Sequence, residues 1–189
     1  MEPTDRYLAK VAQRAYDQST HRWKGVEALL VEEHDFDVLA FRGTEGSIRD
    51  VIRDLRAIPW HDTRLGWCHA GFLKAGRGIW PQIEWLVESR KPLFLTGHSK
   101  GAAEATIVAG LFTAAGKAPA ALVTFGSPKC GFWKLRDVLW NVPVRRYVHG
   151  RDHVTKVPRF YPHVREPIPL GEPGNPLADH ILTEYLVVL

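Results

Sequence analysis

Residues 94–104 read FLTGHSKGAAE. Ser99 stands between Gly97 and Gly101, at the end of an apolar run and the start of an alanine-rich one. A serine on an ordinary strand or helix needs neither glycine. In a strand–Gly-X-Ser-X-Gly–helix unit the chain turns sharply at the serine, and the missing Cβ atoms let strand and helix pack closely around it. The hydroxyl then stands at the carboxyl edge of the sheet. The free N–H groups that open the following helix face any negative charge that develops there. The amide of Lys100 is one candidate oxyanion donor. The plainer alternative is a strand-to-helix turn in which Ser99 merely caps the helix. The pentapeptide alone does not separate the two; an apolar strand before it and a helix after it favour the nucleophile.

Outward from this turn, the chain reads as alternating strands and helices. Before it, residues 5–17 carry apolar positions at helical spacing, with Thr4 or Asp5 as cap. Two β-rich runs flank the polar pair His34-Asp35, and the second, Val38 to Phe41, ends at Arg42-Gly43-Thr44. The stretch 47–60, SIRDVIRDLRAIPW, has Ile48, Val51, Ile52 and Leu55 at helical spacing and predicts a short amphipathic helix. Residues 69–90 read as a helix bent or interrupted by Pro81. After the turn come strands at AALVTFGSP and VPVRRYVHGRD, a Pro- and Gly-rich loop over 157–178, and a short closing helix. No repeat or linker divides the chain, so residues 1–189 are expected to form one domain. The alternation implies an α/β sandwich with a mainly parallel central sheet.

Composition narrows the functions. The chain has 189 residues, 45% hydrophobic and 24% charged, with a net charge of +4. That is ordinary for a globular domain. The basic residues are scattered, which argues against nucleic acid and leaves weak attraction to an anionic lipid surface. No apolar stretch approaches the ~20 residues of a spanning helix. The start, MEPTDRYLAKVAQRAYD, lacks an apolar signal core, so a cytoplasmic protein, released by lysis if at all, is expected. Cys68 and Cys130 read as two reduced, buried thiols. Most of the seven tryptophans are expected in the core, with some facing lipid or a partner. The run DHVTKVPRFYPH has no ordered ligand spacing, so neither metal nor cofactor is expected.

A serine hydroxyl needs a base, and the base an orienting acid. Downstream histidines are His149, His153, His163 and His180; the carboxylates are Asp137, Asp152, Glu166, Glu172, Asp179 and Glu184. Asp152 follows an apolar strand and the Gly150 turn, a strand-end position that suits the acid. His180 follows the long loop, which can carry it over the sheet edge. The order Ser, Asp, His is the one usual for this serine turn.

Several blocks in order, LAFRGT, SIRDVIRDL, HAGF, LTGHSKGAA, VTFGSPKCG, RRYVHGRDHVTKVP and DHILTEY, resemble the class 3 (fungal-type) triacylglycerol lipases. The resemblance runs from about Val38 to His180. It implies a compact α/β-hydrolase-like three-layer sandwich and a serine ester hydrolase acting on lipid acyl esters. It also implies Ser99 as nucleophile, Asp152 as acid, His180 as base, and Thr44 with Lys100 as oxyanion donors. The stretch 46–58 corresponds to the family's lid and the acidic segment beside it; a fixed surface helix is the alternative reading. The chain also departs from the family pattern: Lys100 replaces an apolar residue, Ala102 replaces a glycine, and the Asp152–His180 interval is short. The Lys100 side chain is expected to point to solvent, the alternative being a cation that supports the oxyanion or narrows the substrate range. Rival functions are a phospholipase, a short-chain carboxylesterase, an acyltransferase, and a non-catalytic lipid- or partner-binding module.

Overall fold

In the computed structural model, residues 2–44 and 58–189 are described. The expected amphipathic helix with Ile48, Val51, Ile52 and Leu55, and with it the lid, lies outside them.

Helix α1 (Asp5–Arg14) begins as its sequence dictates: Thr4 Oγ1 accepts from the Tyr7 amide at 3.1 Å. Strands β1 (His21–Trp23), β2 (Val26–Glu32) and β3 (Asp37–Phe41) follow as an antiparallel ribbon. The β2–β3 hairpin turns at His34-Asp35, as the two flanking β-rich runs predict. A two-stranded hairpin, β4 (Pro59–Asp62) and β5 (Gly66–His69), then leads into α2 (Ala70–Ile83). Pro81 does not stop α2 at once. It removes one donor in the last turn, and the chain tightens into a 3₁₀ turn over Glu84–Val87.

Beyond this point come β6 (Leu93–His98), α3 (Lys100–Ala114), β7 (Ala121–Phe125), α4 (Trp133–Val138), β8 (Val144–His149), β9 (Pro167–Leu170) and α5 (Leu182–Val188). The seven-stranded sheet runs β1-β2-β3-β6-β7-β8-β9 and is parallel from β3 onward. Its central strands β3, β6 and β7 are buried along their whole length, which is why they read as continuous apolar runs.

The two faces of the sheet feed two separate cores. Leu39, Phe41, Leu95 and Leu122 pack with Leu73, Ile79, Ile107, Leu111 and Leu135 of α2, α3 and α4. Val38, Ala40, Phe94, Val123 and Phe125 pack on the other side with Leu8 and Val11 of α1 and Leu182 and Tyr185 of α5. Alternate residues of β3 thus serve opposite cores, and the product is the expected three-layer α/β sandwich.

Several sequence expectations need correction. The 157–178 loop contains an edge strand, β9, with Pro167 and Pro169 in it. Prolines argue against an interior strand but are tolerated at an edge. The β4–β5 hairpin and α4 escape the sequence because each is too short to show a period. Trp60, Trp67, Trp85, Trp133 and Trp140 are exposed, not core. The two cysteines are indeed free and buried. At the other edge of the sheet, the Arg22 amide donates to Gln82 Oε1 at 3.2 Å and Gln82 Nε2 donates to the Arg22 carbonyl at 2.8 Å. Among the described residues, no helix is long and apolar enough to cross a membrane.

Candidate active site

The turn between β6 and α3 has the construction its glycines imply. A Cβ on Gly97 would lie 2.6 Å from the Gly101 carbonyl carbon, and one on Gly101 would lie 2.2 Å from the Phe41 carbonyl oxygen. Real Cβ atoms never come so close to backbone, so only glycine lets β6, α3 and β3 meet here. Ser99 itself has φ 56° and ψ −128°, a region that L-residues with a side chain rarely adopt. Such a residue costs about 1–3 kcal/mol and persists only where its surroundings fix it. They do: the Ser99 amide donates to the Phe125 carbonyl at 3.0 Å, and the Ser99 carbonyl accepts from the Ala102 amide at 3.0 Å.

Three residues far apart in the sequence converge on this turn. His180 Nε2 lies 2.8 Å from Ser99 Oγ, and His180 Nδ1 lies 2.7 Å from Asp152 Oδ2. Asp152 sits just past β8 and is wholly buried. Its carboxylate is satisfied by two further donors, the Val154 amide on Oδ1 at 2.9 Å and the Tyr185 hydroxyl on Oδ2 at 2.6 Å. Because the acid accepts from Nδ1–H, the neutral ring of His180 leaves Nε2 free to accept from the serine hydroxyl. Asp179, the neighbour of His180, does not touch the ring in this way; its carboxylate accepts from the Arg151 and Gly174 amides.

A second layer holds His180. Its carbonyl lies 2.7 Å from His98 Nε2, while His98 Nδ1 lies 2.8 Å from the Tyr16 hydroxyl. A carbonyl only accepts, so His98 carries its proton on Nε2 and accepts from Tyr16 on Nδ1. Burial first, and the nearby His180 second, press the His98 pKa down to about 3, which keeps this ring neutral. Burial and the Asp152 carboxylate push the Tyr185 phenol far up, so it remains a donor. Sequence reasoning passed over Tyr16, His98 and Tyr185. Among them only His98, inside the serine turn, had a local signal to notice.

The proposed oxyanion residues also come together. Lys100 is the first residue of α3, so its amide has no acceptor within the helix. With Thr44 it lines an open cleft of about 230 Å³, whose walls are completed by Gly25, Glu27, Arg42 and Gly43. The Lys100 side chain is not the solvent-facing arm expected from the sequence. Nζ donates to the Gly25 carbonyl at 2.8 Å and pairs with Glu104 Oε1 at 3.1 Å. Glu104 is 2% exposed, and burial raises its pKa to about 7 despite the opposing pull of Lys100. The cation is therefore anchored to a backbone carbonyl and tied to a buried acid one helical turn on.

A family profile described as Lipase (class 3) matches residues 38–161, most of the chain. The chain belongs to the class 3 lipase family. The match takes in β3, the serine turn and the Asp152 strand end; His180 lies beyond it and is placed by the fold. Among solved structures, the LIP2 lipase of Yarrowia lipolytica is similar with a TM-score of 0.68 and 21% identity, over 81% of this chain and 65% of that one. The Rhizomucor miehei triacylglyceride lipase is similar with a TM-score of 0.69 and 22% identity, over 82% and 65%. A triacylglycerol lipase described as having a serine protease triad as its catalytic centre gives 0.66 and 20%, over 82% and 73%. At these identities the likeness speaks for the α/β-hydrolase fold. This class 3 lipase chain spans 65% of the Yarrowia and Rhizomucor proteins. No curated protein matches it by sequence.

Proposed function

We propose that the chain is a serine carboxylic ester hydrolase that cleaves acyl esters, those of lipids foremost, through an acyl-enzyme. The single observation that carries this reading is the continuous hydrogen-bonded series Ser99–His180–Asp152 at a strained, glycine-flanked turn. A satisfied helix cap would need neither the strain nor a buried imidazole and carboxylate in line behind the hydroxyl.

In this reading His180 Nε2 takes the Ser99 proton as Oγ attacks the ester carbonyl. Asp152 holds the ring in the tautomer that can accept that proton and stabilises the imidazolium that results. The Thr44 and Lys100 amides receive the oxyanion. His180 then returns the proton to the leaving alcohol, and water repeats the sequence to release the acid. Every step uses groups of the chain itself. The Lys100 side chain, held by Gly25 and Glu104, borders the cleft without entering the chemistry. Membership of the class 3 lipases supports lipid acyl esters as the substrate class, and the triad named for one structural relative supports the assignment of roles.

The decisive experiment is treatment with a lipid-like phosphonate followed by mapping of the modified residue. Modification of Ser99 is expected, and its loss in Ser99→Ala together with a fall in ester hydrolysis of several orders of magnitude. Modification elsewhere, or hydrolysis retained by Ser99→Ala, would overturn the assignment.

A further inference from the structure

Asp179 is a buried carboxylate beside the active site that the hydrolytic mechanism does not use. Its Oδ2 accepts from the Arg151 amide at 2.7 Å and from the Gly174 amide at 3.0 Å. Its own amide donates to the Asn175 carbonyl at 2.8 Å. Arg151 immediately precedes Asp152, and His180 immediately follows Asp179. One side chain therefore fastens the turn that presents the acid to the loop that presents the base. The turn is shaped to receive it: Gly150 has φ +47°, and a Cβ there would lie 2.5 Å from Asp179 Oδ2. A Cβ on Gly174 would likewise lie 2.8 Å from Asp179 Oδ1. Two glycines, one on each side, leave room for a single carboxylate.

We infer that Asp179 is a positioning residue whose carboxylate clamps the Asp152 turn to the His180 loop and so sets the contact between acid and base. The inference rests on the proposed ester hydrolysis for its kinetic expression, but the clamp itself is a matter of geometry. A role limited to stabilising the 171–180 loop would lower stability when lost and leave turnover of the folded fraction unchanged. A role in alignment acts on turnover, because a misplacement of about 1 Å in a catalytic group costs about 100-fold. The binding of substrate does not pass through this contact, so KM stays where it is. An asparagine keeps a carbonyl oxygen in the place of Oδ2, so Asp179→Asn retains both accepted bonds and Asp179→Ala retains neither.

The test compares Asp179→Ala, Asp179→Asn and Gly174→Ala with the wild-type chain in two readouts. The first is kcat and KM on a soluble short-chain ester. The second is the low-field proton resonance of the His180 Nδ1–H bonded to Asp152, which needs no turnover. Asp179→Ala is expected to lose about 100-fold in kcat with KM unchanged, and to broaden or lose the resonance. Asp179→Asn is expected to stay within about 5-fold and keep the resonance, since it preserves the alignment on which that loss depends. Gly174→Ala, whose Cβ would crowd the same carboxylate at 2.8 Å from Oδ1 without a left-handed backbone to strain, is expected to follow Asp179→Ala, and it decides the matter should that variant fail to fold. Wild-type kcat in the folded Asp179→Ala chain, equal losses in Asn and Ala, or a resonance unchanged in all three variants overturns the clamp. A wild-type chain that neither hydrolyses esters nor takes up phosphonate at Ser99 overturns the proposed function instead, and the resonance still decides the clamp.

Discussion

Replacing Tyr185 by phenylalanine removes a hydrogen bond to the buried acid, together with the hydroxyl's contact with the His149 backbone. The ring packs among Phe125, His98 and His149, and Phe preserves that packing. What is lost is the hydroxyl 2.6 Å from Asp152 Oδ2, one of three donors on a carboxylate with no exposure to water. No solvent replaces it. A hydrogen bond to a charged group contributes about 1.5–3 kcal/mol, and a buried acceptor left short of a donor bears a desolvation cost of similar size. About 2 kcal/mol of stability should therefore disappear. For a chain of this size that lowers Tm by roughly 4–8 °C. Scanning calorimetry or circular dichroism at neutral pH measures it. Turnover should fall far less than in Asp152→Asn, because His180 keeps its partner. A Tm within about 1 °C of wild type would refute the premise that Asp152 depends on three donors, since even the weakest charged hydrogen bond predicts more.

Other outcomes follow from the same geometry. Asp152→Asn should fold and lose turnover sharply, because an amide favours the wrong tautomer of His180, whereas Asp179→Asn should be mild; kcat/KM for the pair settles the ranking. Glu104 has its pKa raised in the fold from 4.5 to about 7, so the native state holds a proton that the unfolded chain has released, and the stability this confers is present in full below pH 4.5 and lost as pH rises through about 7. The unfolding free energy from urea titrations should accordingly fall between pH 5 and pH 8, by an amount on the order of 3 kcal/mol at most, and Glu104→Gln should flatten the trend. Gly101→Ala places a Cβ 2.2 Å from the Phe41 carbonyl oxygen and should cost at least about 3 kcal/mol, read as a loss of soluble folded protein.

The serine turn was the most legible part of the chain because it is a local device: strand, two glycines and helix lie within a dozen residues. Asp152 was legible for a related reason, as the first acid past a strand and a glycine turn. His180 was only weakly marked by its place after the long loop, which does not by itself exclude His149, His153 or His163, and the resemblance strengthened the choice. The second layer was opaque because its members lie on separate elements. Tyr16 ends the first helical region, Tyr185 lies in the last helix, and only folding brings them to His98 and Asp152. The side chain of Lys100 was misjudged for the same reason. Its partners are a backbone carbonyl 75 residues earlier and an acid whose burial no periodicity betrays, because α3 is buried on nearly all sides. Strand β9 was hidden by its prolines, which signal a loop unless the neighbour in the sheet is known.

Those prolines have a consequence for how the molecule meets copies of itself. The Leu170 carbonyl accepts from the Gly150 amide, so the 168 and 170 positions turn toward β8 and positions 167 and 169 turn outward. Both outward positions lack an N–H. At the opposite margin, the Gln82 amide takes the outward donor and acceptor of Arg22. Among the described residues, neither border of the seven-stranded sheet thus offers a ladder that another strand can extend, although the interior strands are long apolar runs of the kind that aggregate when bared. One border is blunted by imino acids and the other by a side chain that mimics a peptide group. Clumping through these borders has to begin with chains that have opened, and an onset of that kind on heating should track the unfolding transition and not the concentration of native molecules.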